Sequence, residues 1–360
     1  MQRMEIKISL LSKSKIMKTY LTLFIVACQS VVALAQDNDN RPPYLTKSLA
    51  NDAISSVIVS TSAGGIAVSG ESGQQPRIEV YIQGNNGHNL SNEEIKKRLE
   101  DDYTMDISVN GHELSATVKH KHNFSNWNES MSISFKIYVP EQVSTDLKTS
   151  GGGISLNSLK GTENFSTSGG GLEINKLTGV IHGHTSGGGI DVSNSHEDID
   201  LSTSGGGIVA KNCSGKIKLV TSGGGLVLED LKGEITAHTS GGGVEGNNIE
   251  GELITGTSGG GIDLKRMNCS LDASTSGGDL NAQMNGVGKY LKLRASGNID
   301  MELPSKQGLD LDLHGESITD HIASGFKGDW NRRHVDGSVN GGGVSVYASA
   351  SGGDINIKFN

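Results

Sequence analysis

Residues 149–184 read TSGGGISLNSLKGTENFS-TSGGGLEINKLTGVIHGH, two copies of one 18-residue unit. The string Thr-Ser-Gly-Gly recurs eight times at constant 18-residue intervals, starting at Thr149, Thr167, Thr185, Thr203, Thr221, Thr239, Thr257 and Thr275. Seven of the eight copies continue with a third glycine, and the eighth has Asp279 there. Copies in constant phase indicate a repeat architecture, in which stacked units bury a shared core that no single unit could bury alone.

Apolar residues inside each unit lie two residues apart, which is the period of a β-strand. If the threonine is position 0, position 5 is aliphatic in every unit and position 14 is Ile or Leu in six of the eight. We therefore expect two short strands per unit, around positions 4–8 and 13–18, each paired in parallel with the next unit. The sequence predicts an all-β fold, a parallel β-solenoid with 18-residue coils. We expect it to be right-handed, because parallel crossovers are right-handed in most proteins.

The threonine and the glycines of each unit have distinct predicted roles. Position 0 shares the parity of the inward positions 14 and 16, so the eight threonines should form an internal ladder of bonded hydroxyls and packed methyls. The inward parity changes across the glycine cluster, and we expect positive φ angles in those glycines to permit the change. Gly161 and its equivalents at position 12 mark a second corner.

Both ends depart from the repeat. Thr61-Ser62-Ala63-Gly64-Gly65 is an earlier copy, and it is followed by alternating strands and one helix from Glu93 to Asp101 with a capping-box start at Ser91. This region should form a small strand and helix cap that protects the first coil from edge-to-edge growth. The predicted divisions are a signal peptide over 1–35, a linker over 36–52, the cap and first coil over 53–148, the repeat solenoid over 149–294, and irregular C-terminal coils and a cap over 295–360, with a polar insertion at 319–338.

The N-terminus has the parts of a secretory signal peptide. Lysines precede an apolar run over 21–35 that ends in Ala33-Leu34-Ala35, so we expect cleavage after Ala35 and export to the periplasm, the cell surface or the medium. Ile25-Val26-Ala27-Cys28 resembles a bacterial lipobox, and a lipoprotein anchored through Cys28 is the alternative. No later apolar run approaches the roughly 20 residues of a membrane span, so we expect no transmembrane segment in the mature chain.

The charge of the chain limits the partners that we expect, and its cysteines limit the disulfides. The 360 residues carry a net charge of −9, and removal of residues 1–35, with five basic and one acidic residue, leaves a net −13. An acidic chain of this kind is not expected to bind nucleic acid. The remaining cysteines, Cys213 and Cys269, lie about three coils apart, so we expect two buried thiols and no disulfide.

The sequence predicts no catalytic residue, metal site or cofactor. From Thr149 to Ser276 it has eight basic residues and a single aromatic, Phe165, so the body lacks the basic cleft of a polysaccharide-cleaving β-helix. The histidines, including His314 and His334, are scattered without triad or metal-ligand spacing. A calcium β-roll is an alternative for an 18-residue coil. It needs a denser set of oxygen ligands than this sequence has, because position 6 is Asp only at Asp191 and Asp263.

Two tryptophans in polar surroundings near the ends are the candidate ligand-binding residues. Trp127 lies among asparagines and serines, and Trp330 precedes Arg332 and Arg333. A ring beside such groups can stack on a sugar or anchor a protein partner. The alternative is that each ring covers a coil end.

Three motifs carry a family resemblance: Val139-Pro140 at a strand end, the recurrent Ser-Gly-Gly-Gly-Ile-x-Val, and the closing Ser351-Gly352-Gly353-Asp354-Ile355-x-Ile357. Over residues 53–360 they resemble the bacterial adhesin-like proteins with β-strand repeats, related to the head-GIN domain. The resemblance implies an envelope or extracellular β-solenoid of largely uncharacterised function, with no catalytic residues to carry over. Together with the residues above, it favours a non-enzymatic adhesin-like protein that contacts a surface glycan or a protein, with no cofactor. The alternative is a structural or stress-sensing envelope scaffold without an adhesive ligand.

Overall fold

The computed structural model describes residues 42–70, 73–85, 90–121, 130–320 and 325–360. These ranges hold 27 β-strands and one helix, and they confirm the predicted parallel β-solenoid, with about nine turns. The predicted signal peptide and Cys28 lie outside the described residues.

The strands fall into three groups along the chain. The N-terminal group comprises β1 (Leu45–Ser48), β2 (Ser56–Thr61), β3 (Ile66–Ser69), β4 (Arg77–Gly84), helix α1 (Asn92–Asp102), β5 (Tyr103–Asn110), β6 (Glu113–His120) and β7 (Met131–Tyr138). The repeat group comprises β8 (Ser144–Thr149), β9 (Ile154–Asn157), β10 (Lys160–Thr167), β11 (Leu172–Asn175), β12 (Thr178–Thr185), β13 (Ile190–Ser193), β14 (His196–Thr203), β15 (Ile208–Lys211), β16 (Ser214–Thr221), β17 (Leu226–Thr239), β18 (Val244–Thr257), β19 (Ile262–Thr275) and β20 (Leu280–Ala295). The C-terminal group comprises β21 (Ile299–Leu303), β22 (Leu309–His314), β23 (Ile318–Asp320), β24 (Lys327–Trp330), β25 (His334–Val339), β26 (Val344–Ala350) and β27 (Ile355–Phe359).

Each coil stacks on the next in parallel with an 18-residue register. Thr167 pairs with Thr149 on one side and Thr185 on the other. On the second face of the coil, Leu172 pairs with Ile154 and Ile190 in the same register. From β17 to β20 the two strands of a coil run together as one long strand. Because the register equals the repeat length, like residues stack on like residues throughout the body.

The core is one continuous column of small and aliphatic side chains. Positions 5, 7, 14 and 16 point inward, as at Ile190, Val192, Ile199 and Leu201, which are 2% exposed or less. Position 10 is a further buried position that the sequence analysis did not include; it holds Leu159, Leu177, Ser195, Cys213, Leu231, Ile249 and Met267.

The two described cysteines are free and buried, as predicted. Burial raises the pKa of the Cys269 thiol to about 12 and also raises the pKa of Cys213. Both therefore serve as small apolar core residues.

Close stacking, not positive φ, explains the glycine cluster, and the expectation of positive φ angles there is wrong. The middle glycines of the eight clusters have no left-handed φ; they are Gly152, Gly170, Gly188, Gly206, Gly224, Gly242, Gly260 and Gly278. A Cβ on any of them would lie only 2.0–2.7 Å from a backbone atom of the coil beneath. Successive corners thus leave no room for a side chain.

The repeat threonines tie each corner to the one beneath it. Oγ1 of Thr203 donates a hydrogen bond to the carbonyl of Gly188 at 2.7 Å. All eight repeat threonines make this bond, at 2.6–2.9 Å, and Thr149 makes it with Gly64 of the first coil. The hydroxyl therefore satisfies a carbonyl that points into the stack, where an unpaired acceptor would be destabilising.

The second corner of each coil is a left-handed turn at position 9. Seven residues there have φ between 51° and 57°: Ser158, Lys176, Asn194, Asn212, Asp230, Asn248 and Arg266. This turn changes the inward parity between positions 7 and 10. Asn and Asp tolerate the left-handed region better than most residues, which fits their frequency at this position. The sequence predicted this corner only at position 12, where four glycines have φ between 104° and 125°.

The N-terminal cap stacks β6 and β7 in parallel on β2 and β3. Its outer strands are antiparallel, with β5 beside β6 and β4 beside β7. Helix α1 starts at Ser91 with both capping-box hydrogen bonds, which confirms the predicted helix. No helix among the described residues is long and apolar enough to cross a membrane.

At the C-terminal end the chain returns on itself. Strands β26 and β27, last in sequence, lie between the coil of β20 and β21 and that of β22 and β23. Residues 319–338, predicted as a polar insertion, contain β24 and β25, and β25 pairs antiparallel with both β22 and β24. Both faces at the N-terminal end and the β22 face at the C-terminal end therefore finish in antiparallel strands, which limits further parallel growth there.

Substituting neighbouring glycines of one corner tests the stacking constraint. In Gly170→Ala the new Cβ would lie 2.2 Å from the Gly152 carbonyl oxygen, whereas in Gly169→Ala the nearest atom is 3.4 Å away. We expect Gly170→Ala to lower the free energy of unfolding by about 3 kcal/mol or more and Gly169→Ala by under about 1 kcal/mol. Chemical denaturation followed by circular dichroism measures both. Equal losses of stability in the two variants would show that close backbone approach does not explain why every repeat has glycine at this position.

One carboxyl group lies inside the core. Glu163 occupies position 14, where six other units have Ile or Leu, and its exposed fraction is 0%. Thr145 Oγ1 donates to Glu163 Oε2 at 2.6 Å, while Oε1 has no hydrogen-bond partner among the described residues. Burial, partly offset by the Thr145 hydrogen bond, raises the pKa of Glu163 to about 7.

This carboxyl group should make stability depend on pH. Its folded pKa of about 7 exceeds the ordinary value of 4.5, so the folded chain holds the proton more tightly than the unfolded chain. The contribution of Glu163 to the free energy of unfolding should therefore be fully present below about pH 4.5 and fall by roughly 3 kcal/mol as the pH rises to about 7. In Glu163→Leu that part of the decline should disappear, as measured by denaturation midpoints from pH 4.5 to 8. The exposed Glu173→Leu serves as the control, and a wild-type slope in Glu163→Leu would contradict the assignment.

Candidate functional site

A groove of about 540 Å³ lies on the outer face of the C-terminal coils. Five strands line it: β19, β20, β21, β27 and β23. Their outward residues are polar, while the residues between them face the core. The polar lining comprises Asp263, Lys265, Asn281, Gln283, Asp300, Glu302, Thr319, Asn356 and Lys358.

Hydrogen bonds between neighbouring strands hold several of these side chains in place. Thr319 Oγ1 donates to Asn356 Oδ1 at 2.6 Å, and Asn356 Nδ2 donates to Asp300 Oδ1 at 2.6 Å. On the next row Gln283 Nε2 donates to Glu302 Oε2 at 2.9 Å. The groove therefore presents an ordered array of amide, carboxylate and hydroxyl groups.

The insertion of β27 creates this array. Asp300 pairs with Asn356 across β21 and β27, and Asn356 pairs with Thr319 across β27 and β23. These residues lie 56 and 37 positions apart in the chain, outside the 18-residue phase. The alternation of polar residues in the last strands is visible in the sequence, but the order of these strands in the sheet is not.

The outward side chains of the groove are polar, and the buried residues Leu264, Ala282, Met301 and Ile357 line it between them. Three carboxylates and two ammonium groups, together with three amides and one hydroxyl, make its charge close to neutral. None of the lining residues is aromatic. A ligand there would be held by hydrogen bonds and charge, not by stacking on a ring.

The residues predicted to bind a ligand lie elsewhere. The Trp330 ring is half-buried, packs against the core and meets Phe326 edge-on with ring centroids 5.5 Å apart. Arg332 and Arg333 are exposed in the connection between β24 and β25. None of the three lines the groove. Trp127 lies outside the described residues.

His314 and His334, which the sequence analysis treated as scattered, are neighbours in the structure. They are direct partners in the antiparallel pair of β22 and β25, and their ring centroids are 4.6 Å apart. Asp312 Oδ1 lies 2.7 Å from His314 Nε2. In the described ranges these three residues form the one group of His, Cys, Asp or Glu whose potential ligand atoms all lie within 4.8 Å of one another. The acids at position 6 form no such group there.

The fold defines a β-solenoid closed by an antiparallel cap at each end, with its polar groove at one end. The chain belongs to the Toastrack DUF4097 family, whose model matches residues 68–358. A comparison with curated proteins finds no match.

Solved structures with similarity to this chain come from several bacteria. A "putative cell adhesion protein" of Clostridium sporogenes is 12% identical with a TM-score of 0.20, covering 88% of this chain and 98% of its own. A "putative adhesin" of Bacteroides fragilis is 10% identical with a TM-score of 0.25, covering 87% and 96%. A "putative lipid binding protein" of Parabacteroides distasonis is 13% identical with a TM-score of 0.25, covering 88% and 97%.

Proposed function

We propose that this protein is an exported, non-enzymatic recognition module that binds a hydroxyl-rich ligand, a surface or matrix glycan, in the C-terminal groove. The observation that carries the proposal is the ladder of hydrogen-bonded amides and carboxylates around Asp300 and Asn356. This ladder supports the groove as the site of the adhesin-like function expected from the sequence.

The chemistry of the groove suits a polyhydroxylated ligand. Amide and carboxylate side chains supply donors and acceptors side by side, as neighbouring sugar hydroxyls require. The side chains already restrain one another, so less conformational entropy is lost on binding. A volume of about 540 Å³ falls within the usual range for small-ligand sites, roughly 300–1,000 Å³.

The same contacts favour binding over catalysis. Asp300 is bonded to an amide, Asn356, and Glu302 is bonded to the amide of Gln283. Neither carboxylate is paired with a histidine or a nucleophile in these bonds, as a general acid–base arrangement would require. The family model that the chain matches does not point to a family of enzymes.

Export is supported by the signal-like residues 1–35 and the acidic remainder of the chain. Cleavage after Ala35 would release the solenoid, whereas lipidation of Cys28 would tether it to a membrane. Either form would present the groove outside the cytoplasm.

Removing two polar groups from the groove should weaken binding. The double variant Asp300→Ala/Asn356→Ala loses adjacent members of the ladder, so affinity for a glycan that binds wild type should fall at least tenfold, or about 1.4 kcal/mol. The measurement is a screen against oligosaccharides, cell-wall fragments and matrix proteins, followed by calorimetry on any hit. Asn157→Ala/Asn175→Ala is the matched control, because this pair forms a similar ladder bond, 2.8 Å long, on the same coil face far from the groove.

Further variants separate the groove from the residues first singled out by sequence. Arg332→Ala/Arg333→Ala should leave affinity unchanged if the groove is the site. Binding lost in that variant and retained in Asp300→Ala/Asn356→Ala would move the site to the β24–β25 connection.

A structural or stress-sensing scaffold is the second candidate function. The packing of Trp330 against the core favours it, because a ring that covers the coil end is not free to stack on a ligand. A folded protein that binds nothing across the whole panel would support the scaffold and contradict the groove proposal.

A further inference from the structure

We propose that Asp312, His314 and His334 form a binding site for a borderline transition-metal ion such as Zn²⁺ or Cu²⁺. The site lies on the outer face of β22 and β25, and none of its residues lines the groove. It is therefore independent of the proposed recognition function.

Strand pairing places the three side chains together. His314 and His334 are directly opposite each other in the antiparallel pair, and Asp312 is two residues before His314 on the same face of β22. Leu311 and Leu313, which alternate with them, are buried, so the strand pleat directs Asp312 and His314 outward. Each side chain offers one ligand atom, and these atoms all lie within 4.8 Å of one another.

Local hydrogen bonds suit metal binding. His334 Nδ1 lies 3.3 Å from the Leu313 carbonyl oxygen, so an N–H at Nδ1 can donate to it. In that tautomer the lone pair of Nε2 is free for a metal, and the backbone contact orients the ring. Asp312 Oδ1 lies 2.7 Å from His314 Nε2, so a metal bound by both atoms would displace the proton of the hydrogen bond between them.

The surroundings of the cluster carry charges of both signs. Asp336 is the strand partner of Asp312, and Asp329 is in turn the partner of Asp336. On the other side of β22, Tyr347 and Ser349 are the partners of Asp312 and His314. Asp336 is a further carboxylate on this face of the strand pair, and the exposed Arg332 and Arg333, directly before His334, add opposing positive charge.

The ligand set selects the class of metal. Two imidazoles and a carboxylate match zinc sites that keep a fourth position open, and imidazole also suits Cu²⁺ and Ni²⁺. Calcium and magnesium prefer oxygen ligands alone. Zinc bonds of about 2.0–2.2 Å place tetrahedral ligand atoms about 3.3 Å apart. Side-chain rotations of His314 and Asp312, both exposed, can widen their 2.7 Å separation and shorten the longer distances to that value.

Metal titration of the untagged protein tests the site. We expect isothermal calorimetry with ZnCl₂ to show one ion bound per chain, and His314→Ala and His334→Ala each to weaken that binding at least tenfold. His184→Ala/His196→Ala is the matched control, because both are exposed histidines on repeat coils bonded to serines, and it should bind as wild type does. CaCl₂ should give no binding that these histidines affect.

A spectroscopic readout complements the titration. Loading with Co²⁺ should give the visible absorption bands of a low-coordinate site. These bands should be absent from His314→Gln and His334→Gln. The glutamine variants keep a polar side chain and replace the alanine variants if those fail to fold. Unchanged affinity in the histidine variants, an equal loss in the His184/His196 control, or no binding by wild type would each overturn the proposal.

Discussion

Backbone-to-backbone stacking at the glycine corner is the constraint on which the rest of the structure depends. Gly170 and its equivalents sit so close to the coil beneath that no Cβ fits between them. The threonine three residues before each of these glycines binds the carbonyl of the corresponding glycine in the coil beneath. This pair of contacts repeats only if every coil has the same length, so it fixes the 18-residue register. That register in turn stacks the aliphatic residues of successive coils into one core.

Within that frame the body tolerates considerable local variation. Position 9 turns in the left-handed region whether it holds Asn212, Asp230 or Arg266. Position 14 accepts even the carboxyl group of Glu163, which Thr145 partly satisfies. Regular stacking, however, produces a uniform surface. Distinct surface features arise at the C-terminal end. There the insertion of β27 forms the groove, and the antiparallel return of β25 forms the Asp312, His314 and His334 cluster.

The regular part of the fold could be predicted because the same coil is repeated along the stack. Eight phased copies reveal the coil length, and alternation reveals inward residues such as Ile190 and Ile199. The capping box at Ser91 revealed helix α1, since its signal is local. The reason for the glycines could not be read from the sequence, because close approach and positive φ both select glycine.

The candidate site was not predictable in the same way. Leu291 pairs with Val346 and not with the next strand along that face of the chain, the one beginning at Leu309. This insertion juxtaposes Asp300 with Asn356, and the antiparallel return of β25 juxtaposes His314 with His334. Both pairings join residues far apart in sequence outside the repeat phase. Trp330 misled for a related reason, because its polar neighbours in the sequence did not reveal that its ring packs against the core.

Excision of whole and partial coils tests most directly the claim that the 18-residue register holds the protein together. Deleting residues 203–220 removes one complete unit and joins Ser202 to Thr221 in phase. Deleting residues 203–219 leaves one extra residue and shifts the inward side chains at the junction to the outer face. We expect the first variant to keep a β-rich circular dichroism spectrum and a cooperative denaturation close to wild type. We expect the second variant to lose the cooperative denaturation. Equal stability of the two deletion variants would contradict the account.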